Sequence, residues 1–317
     1  MTVDFLSQAD PYRRELLAHC YRMLGSVHDA EDLVQETMLR AWRGFDKFEG
    51  RSSLRTWLYR IATTQCLTAL ESRGRRPLPT GLGGPSETGG QALEKRDEVP
   101  WLEPMPSGTD DDTEDPAAIV ASREGTRLAF VAALQHLPAR QRAVLILRDV
   151  LAWRAAEVAE LLGTTTAAVN SALQRARAQL EEVAPTPDDV VEPTAEDKRR
   201  LLARYVAAFE RKDVDAIVAL LAEDAVWEMP PFTTWFQGPE QVARHLTVQC
   251  PGGPGDFRFA TTEANGEPAL GMYLRGADGV FERFALQTFT VRGTRYSHVV
   301  SFFDHRLFDR FGLPETL

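Results

Sequence analysis

At 317 residues the chain exceeds one ordinary domain, and 44% hydrophobic with 26% charged residues is the composition of a water-soluble globular protein of two or three units. Forty-six acidic against 36 basic residues give a net charge of −10, so any nucleic-acid contact has to use local patches rather than the overall field. No basic stretch leads into an apolar one at the start, no apolar run approaches the ~20 residues that span a bilayer, and Cys20, Cys66 and Cys250 are spaced for neither a disulfide framework nor a zinc site; the expectation is a cytoplasmic protein without membrane contact.

Residues 1–76 read as helices. Leu16, Leu17, Cys20 and Leu24 share one stripe and Leu54, Trp57, Leu58 and Ile61 another, at the i, i+3, i+4, i+7 spacing. Between the stripes, Asp29, Glu31, Asp32 and Glu36 gather four carboxylates on two helical turns. Such a run is either a solvated face or a docking face for a basic protein surface, since it repels DNA. Residues 51–76 are the most basic stretch, with Arg51, Arg55, Arg60, Arg73, Arg75 and Arg76 against Glu71 alone, and Trp57 and Tyr59 interleaved. Cations that follow a backbone, with aromatics for unstacked bases, are what single-stranded DNA binding requires. Taken alone, Trp57 reads more simply as core, because it shares its face with Leu54, Leu58 and Ile61.

Residues 77–123 carry three basic against ten acidic side chains and are broken by prolines at 77, 79, 85, 100, 104, 106 and 116 and by six glycines. No long helix or central strand fits there, so the stretch reads as a linker. A phosphate-loop reading of its Gly-rich part fails, because no strand precedes it and no Gly-Lys-Ser/Thr closes it. A second, shorter linker covers Ala184–Pro193.

Residues 124–183 are helical again and hold the sharpest local pattern. Trp153–Leu162 reads as a short amphipathic helix, Gly163 stands where a left-handed turn residue is needed, and Thr166–Leu180 reads as a second helix. Ala159, four residues before the glycine, permits close approach, and Val158, Leu162, Val169 and Ala172 form the shared core. A helix pair locked in this way presents its second member to a major groove. Thr165, Thr166, Ala167, Asn170, Ser171 and Gln174 then face base edges, where Asn and Gln each suit adenine, while Arg175 and Arg177 suit phosphates. No acidic residue occurs from Gly163 to Leu180. The competing reading is a helical hairpin that merely packs.

Beyond residue 195 the texture becomes α+β: a helix near Glu196–Arg211, then alternating aromatic-rich runs such as Ala225–Met229 and Phe281–Val291, with a hairpin turn at Ala277-Asp278-Gly279.

Two motifs carry a resemblance. His28-Asp-Ala-Glu-Asp-Leu-Val-Gln-Glu36, with Phe45-Asp-Lys-Phe and Leu54-Arg-Thr-Trp-Leu-Tyr-Arg-Ile-Ala62, resembles region 2 of extracytoplasmic-function sigma factors of the sigma-70 family. Leu137-Pro-Ala-Arg-Gln-Arg-Ala-Val-Leu-Ile-Leu147, continuing to Ala176-Arg177, resembles their region 4. The resemblance implies that Asp29, Asp32, Gln35 and Glu36 bind the basic clamp coiled coil of core RNA polymerase. It implies that the loop Asp46–Ser53, with Arg51, Ser52 and Ser53, holds a base flipped from the melted −10 promoter element, with Arg55, Trp57 and Arg60 along the strand, and that the helix from Thr166 reads the −35 element. Unstacking costs a few kcal/mol per base, so one pocket supplies sequence choice and strand opening together. No catalytic residue, cofactor or metal is called for. Between the two regions the acidic linker either lies in the polymerase's nucleic-acid channel as an RNA mimic or serves as a plain solubilising tether.

Ala195–Leu202, Tyr205, Phe209, Asp213–Leu221 and Asp224-Ala-Val-Trp-Glu-Met-Pro-Pro231 are similar to the SnoaL-like polyketide-cyclase group, which implies a cone-shaped α+β barrel. The linker's Pro100-Trp-Leu-Glu-Pro104 resembles a signature of sigma factors that carry such a barrel, and Trp101 is expected to bury against it. In that fold Trp227, Met229, Trp235, Phe236, His245, Phe284, His298 and Phe302 are expected to line a pocket at the open end. Glu228, His245, His298 and Asp304 are the groups available for proton transfer. Alternation puts Glu228 on the face opposite Trp227, and His298 reads as readily as a satisfied core histidine. With no acid–base pair standing out, the barrel reads as a regulatory or ligand-sensing module.

The fold expected is therefore two all-α domains, 1–76 and 124–183, joined by the linker 77–123 and followed by an α+β barrel at 195–317. The function expected is an alternative sigma factor that directs core polymerase to promoter DNA. Two rivals stay open: a one-component DNA-binding regulator with a ligand-sensing barrel, and a SnoaL-like enzyme tethered to DNA.

Overall fold

Two serines set the frame of the N-terminal half in the computed structural model, which describes residues 2–50, 52–72, 74–87, 93–107, 127–183 and 193–317. Ser26 Oγ accepts the Asp29 N–H at 3.1 Å and starts α3 (Val27–Gly44); Ser53 Oγ accepts the Thr56 N–H at 3.1 Å and starts α4 (Leu54–Glu71). With α1 (Thr2–Ala9) and α2 (Arg13–Leu24) they bury Leu16, Cys20, Met23, Val34, Met38, Leu58, Ala62 and Cys66. Cys20 and Cys66, remote in sequence, are free thiols that adjoin in this core, where the Cys20 side chain and burial push the Cys66 thiol up. His19 is buried beside them, with its Nε2 2.9 Å from Thr63 Oγ1.

A second group of helices comprises α5 (Leu128–Leu134), α6 (Ala139–Leu145), α7 (Ala155–Leu162) and α8 (Thr166–Val183). The first helix of the expected helix-turn-helix starts two residues later than the periodicity suggests. Arg154 is its N-cap, its N–H donating to Glu157 Oε2 at 2.8 Å, and Trp153 bonds back to the Leu147 carbonyl and turns its ring onto Tyr59, 5.6 Å between centroids. Gly163 has φ +61°, which L side chains resist, and Thr164 N–H closes on the Ala159 carbonyl at 2.9 Å. Val158, Ala159, Val169, Leu173 and Ala176 are buried between α7 and α8.

These helices and the short segment Leu102–Met105 form one compact unit. Arg142 ties α6 to the end of α2, donating to the carbonyls of Met23 and Leu137 and, at 2.8 Å, to Gln135 Oε1. Leu102 is fully buried, and Glu103 closes the gap between α2 and α3: its N–H meets the Gly25 carbonyl at 3.0 Å, its carbonyl accepts the Tyr21 hydroxyl at 2.8 Å, and its carboxylate accepts from Ser26 Oγ at 2.8 Å and lies 2.9 Å from His28 Nδ1.

The second unit is built on a six-stranded sheet of order β2-β1-β6-β5-β4-β3, antiparallel except between β1 and β6. Its strands are β1 (Leu221–Glu228), β2 (Trp235–Gln237), β3 (Phe257–Ala264), β4 (Glu267–Arg275), β5 (Phe281–Arg292) and β6 (Arg295–Phe302). The expected hairpin turn joins β4 to β5, with Gly279 at φ +86°. On the concave face, Trp227, Phe289, Tyr296 and Val299 pack with Tyr205 and Phe209 of α9 (Ala195–Glu210) and Ile217 of α10 (Val214–Val218). Val242 and Leu246 of α11 (Pro239–Val248) complete this core. Tyr205 stands edge-on to Phe289 at 5.0 Å and to Tyr296 at 5.7 Å.

The convex face is covered from two directions. α12 (Arg306–Arg310) brings Phe308 against Tyr273, and the tail that follows seats Leu313 so close to Gly271 that a Cβ there would stand 2.7 Å from its Cδ1. The other cover is the stretch read from sequence as a tether. Residues 77–101 belong to this unit, and their main chain bonds to β2 and the loop before it. Ser86 N–H donates to Trp235 O (2.8 Å) and Arg96 N–H to Pro231 O (2.9 Å), while Glu94 O accepts from Thr233 N–H (2.9 Å). Ser107 does the same at the opposite edge, its N–H meeting Glu263 O at 3.1 Å. Proline and glycine leave no α-helix or long strand among the described residues here, only a 3-10 turn at Pro79–Gly81, yet enough N–H and C=O groups remain to cap two open sheet edges. Trp101 is half-buried, its indole N–H on Arg96 O at 2.9 Å. The acidic run 110–115 lies outside the described residues.

Candidate nucleic-acid interface

On α8 the side chains read as base-facing are all exposed: Thr165, Thr166, Ala167, Asn170, Ser171 and Gln174, with Arg175 and Arg177 following. Val169, Leu173 and Ala176 occupy the opposite, buried stripe, so the helix is held by one face and offers the other. Thr165 Oγ1 accepts the Ala168 N–H at 3.2 Å at its start. Arg177 is gripped by Asp149 through two bonds of 2.8 and 2.7 Å; Arg175 carries no ion pair among the described residues.

The basic stretch of α4 is less free than its sequence suggests. Arg55 clasps the Glu15 carboxylate, with its shortest bond at 2.6 Å, and lies 5.0 Å over the Tyr59 ring; that carboxylate raises the guanidinium's pKa. Arg60 pairs with Glu160 of α7 at 2.6 Å. Trp57 stacks on Phe48 at 4.9 Å, the last of a chain of rings, Phe5–Phe45–Phe48–Trp57, that fixes the turn after α3. Trp57 stays partly open, in a groove shared with Arg40, Arg60, Ile61 and Thr64. Ser52 is half-buried, Ser53 exposed as the cap of α4, and Arg51 lies outside the described residues.

Of the four α3 residues read as docking groups, Asp32 and Gln35 are exposed, Glu36 pairs with Arg40 at 2.6 Å, and Asp29 is bound by Arg76. Leu39 and Trp42, each 46% exposed, continue the Asp32–Gln35 stripe. The reading by charge missed them; their i+7 and i+10 spacing from Asp32 was the available signal.

The eight barrel residues read as one pocket divide between two faces. Trp227, Met229, Phe236, His245 and Phe284 join or border the concave core, whereas Trp235, His298 and Phe302 lie on the convex face. The register gives the reason: Trp227 stands beside Val299, while its neighbour Glu228 stands opposite Trp235, and side chains alternate. His245 is satisfied by Gln249 Oε1 at 2.9 Å and stacked on Phe236 at 4.6 Å, and burial lowers its pKa. Glu228 does face away from Trp227, but it is fully buried, 2.6 Å from His298 Nε2. A carboxylate–imidazole pair thus exists where the sequence reading found none. Trp227 Nε1 and the Tyr296 hydroxyl are buried without a hydrogen-bond partner. Among the described residues, no cluster of His, Cys, Asp and Glu is placed to hold a metal, and no helix is long and apolar enough to cross a membrane.

Three families match in order along the chain: sigma-70 region 2 over residues 9–76, sigma-70 region 4 over 127–180, and the SnoaL-like domain over 202–306. The ECF RNA polymerase sigma factor SigG of Mycobacterium tuberculosis is 57% identical over 99% of this chain and 85% of its own length. SigJ of the same organism, also an ECF RNA polymerase sigma factor, is 32% identical over 87% of this chain and 82% of its own. The crystal structure of SigJ superposes with a TM-score of 0.63 at 27% identity, covering 98% of this chain and all of that one. Sigma-70 regions 2 and 4 in sequence order, a fused SnoaL-like domain and near-full-length identity converge: the chain belongs to the ECF RNA polymerase sigma factors.

Proposed function

We propose that the chain directs core RNA polymerase to promoters by three separate surfaces and that its barrel regulates this activity without catalysing a reaction. The exposed α8 face, Thr165 to Arg175, reads the −35 element. Trp57, Arg55 and Arg60 of α4, with the turn Asp46–Ser53, take the opened −10 strand. The α3 stripe Asp32, Gln35, Leu39 and Trp42 docks on the polymerase clamp, an acidic and apolar face for a basic coiled coil. The observation that carries the reading is the α8 face, polar and cationic with no carboxylate from Gly163 to Leu180, on a helix fixed from behind by three buried side chains. A regulatory barrel is supported by His245, which faces Gln249 and Phe236 rather than a carboxylate, and by the place of the Glu228–His298 pair on the face opposite the Trp227 core, with Glu228 covered by the Thr80 N–H.

Run-off transcription tests it. The full chain with core polymerase should initiate at its promoter, a chain ended after Val183 should differ in activity or promoter preference, and Asp32→Lys should abolish initiation by loss of polymerase binding. Duplex binding by the chain alone with no effect of polymerase would favour a one-component regulator instead.

A further inference from the structure

Two polar contacts flank the buried stripe Val169, Leu173 and Ala176 that holds α8 from behind. On one flank Asp149 grips Arg177 through bonds of 2.8 and 2.7 Å. On the other, the Gln179 side-chain amide donates at 2.9 Å to the His136 carbonyl, in the turn between α5 and α6. At about 100° per residue, Arg177 and Gln179 leave the helix about 160° apart, measured across the stripe. Asp149 belongs to a π-helical turn, Ile146–Val150, closed by the Leu151 N–H on the Ile146 carbonyl at 3.0 Å. Such single wide turns occur mostly at functional sites.

An apolar stripe keeps two helices together but is non-directional, so it constrains rotation about the helix axis poorly. A roll of about 10° moves a side-chain tip about 5–6 Å from the axis by about 1 Å. That displacement takes a bidentate bond to a base edge out of hydrogen-bond range. Arg177 follows Asn170 by seven residues and Gln174 by three, nearly in line with both, so the flank that Asp149 holds borders the two side chains best suited to adenine.

We propose that Asp149 is a positioning residue for −35 recognition: together with the Gln179–His136 contact it fixes the roll of α8 and so the aim of Asn170 and Gln174, and it takes Arg177 out of phosphate binding. The proposal rests on the reading of α8 as the −35 helix and supplies what aims it. Both oxygens of the carboxylate meet the guanidinium fork, which sets direction as well as distance. Arg177 and Asp149 are 56% and 31% accessible, and ion pairs so exposed add little to stability, so removing this one should alter aim without unfolding the chain.

Competition binding by holoenzyme reconstituted from the full chain and core polymerase tests the role, on promoters with the cognate −35 element and with single-base changes in it. Asp149→Asn, which removes the charge, and Gln179→Ala, which removes the other clamp without touching any charge, should each lower the ratio of cognate to mismatched affinity about fivefold, the low end of what one base contact contributes. The urea midpoint should not move. If Asp149→Asn instead keeps the ratio, binds every sequence more tightly and steepens the slope of log affinity against log salt by about 0.9, Arg177 is a masked phosphate contact and the positioning role is overturned. Ratios unchanged in both variants while Asn170→Ala lowers the ratio would also overturn it. A ratio that Asn170→Ala leaves unchanged as well would overturn the reading of α8 itself, and this role with it.

Discussion

Arg60 on α4 and Glu160 on α7 join at 2.6 Å, so the cation proposed to meet the opened −10 strand is held by the helix pair proposed to read the −35 element. The pair is 42% and 73% accessible, and exposed pairs are worth about 1 kcal/mol at most, so on the proposed function DNA phosphates should be able to displace it. Glu160→Gln should therefore leave the unfolding free energy from urea titration within about 1 kcal/mol of wild type. Arg60→Ala should reduce strand opening, read by permanganate reactivity in the polymerase complex, while −35 binding persists. A large stability loss in Glu160→Gln would make the pair structural.

If α8 reads the −35 element as proposed, its face separates residues that specify from residues that attract. Asn170→Ala and Gln174→Ala should each cost about 1–3 kcal/mol on the cognate −35 sequence and relax preference at one base. Arg175→Ala should weaken all sequences alike and lower the slope of log affinity against log salt by about 1. Competition binding of the reconstituted holoenzyme at several salt concentrations distinguishes the two, and a uniform loss in Asn170→Ala would remove it from base readout.

Helix pairing was legible because Gly163 and the apolar stripe around Val158 and Val169 are local and periodic. The sheet was legible in its alternation, down to Glu228 facing away from Trp227. What stayed hidden is long-range. Nothing in the spacing of Glu15, Arg55, Arg60 and Glu160 shows which carboxylate meets which arginine, and Trp227 and His298 look like pocket partners until β1–β6 register places them on opposite faces. The proline-rich stretch misled for a different reason: composition reports whether a segment forms its own hydrogen bonds, not whether a sheet edge supplies them, as β2 does for Ser86.

His19 makes the first unit acid-sensitive. Burial, reinforced by Arg22, lowers its pKa from 6.5 to about 3, so the folded chain keeps it neutral where the unfolded chain binds a proton. The unfolded state holds more protons between those values, so stability is full above pH 6.5 and falls as pH drops toward 3, by about 1.4 kcal/mol per unit at most. Urea titrations of wild type and His19→Gln at pH 7 and 5 should differ in pH dependence, the variant losing less on acidification. Parallel curves would assign the acid loss elsewhere.

Arg142 governs how firmly the two sigma regions stay joined within the first unit. It is 4% accessible, and burial brings its pKa down to about 10, so it remains protonated at neutral pH and keeps every N–H available. Those donors reach the Met23 carbonyl at the end of α2 and the Gln135 and Leu137 carbonyls ahead of α6, all neutral acceptors. Removing the guanidinium takes a donor from three main-chain carbonyls and the Gln135 amide oxygen but strands no opposite charge, which sets the cost at ~3 kcal/mol rather than at the upper end for a broken buried ion pair. Arg142→Met should accordingly lower the stability of the full chain by about that amount and uncouple α5–α8 from α1–α4, visible as a broadened or split urea transition. Arg142→Lys keeps the charge, but its compact ammonium cannot span carbonyls that far apart, and it should recover less than half of the loss. An unshifted midpoint in Arg142→Met would mean that packing around Leu102 and Glu103, not this guanidinium, holds the regions together.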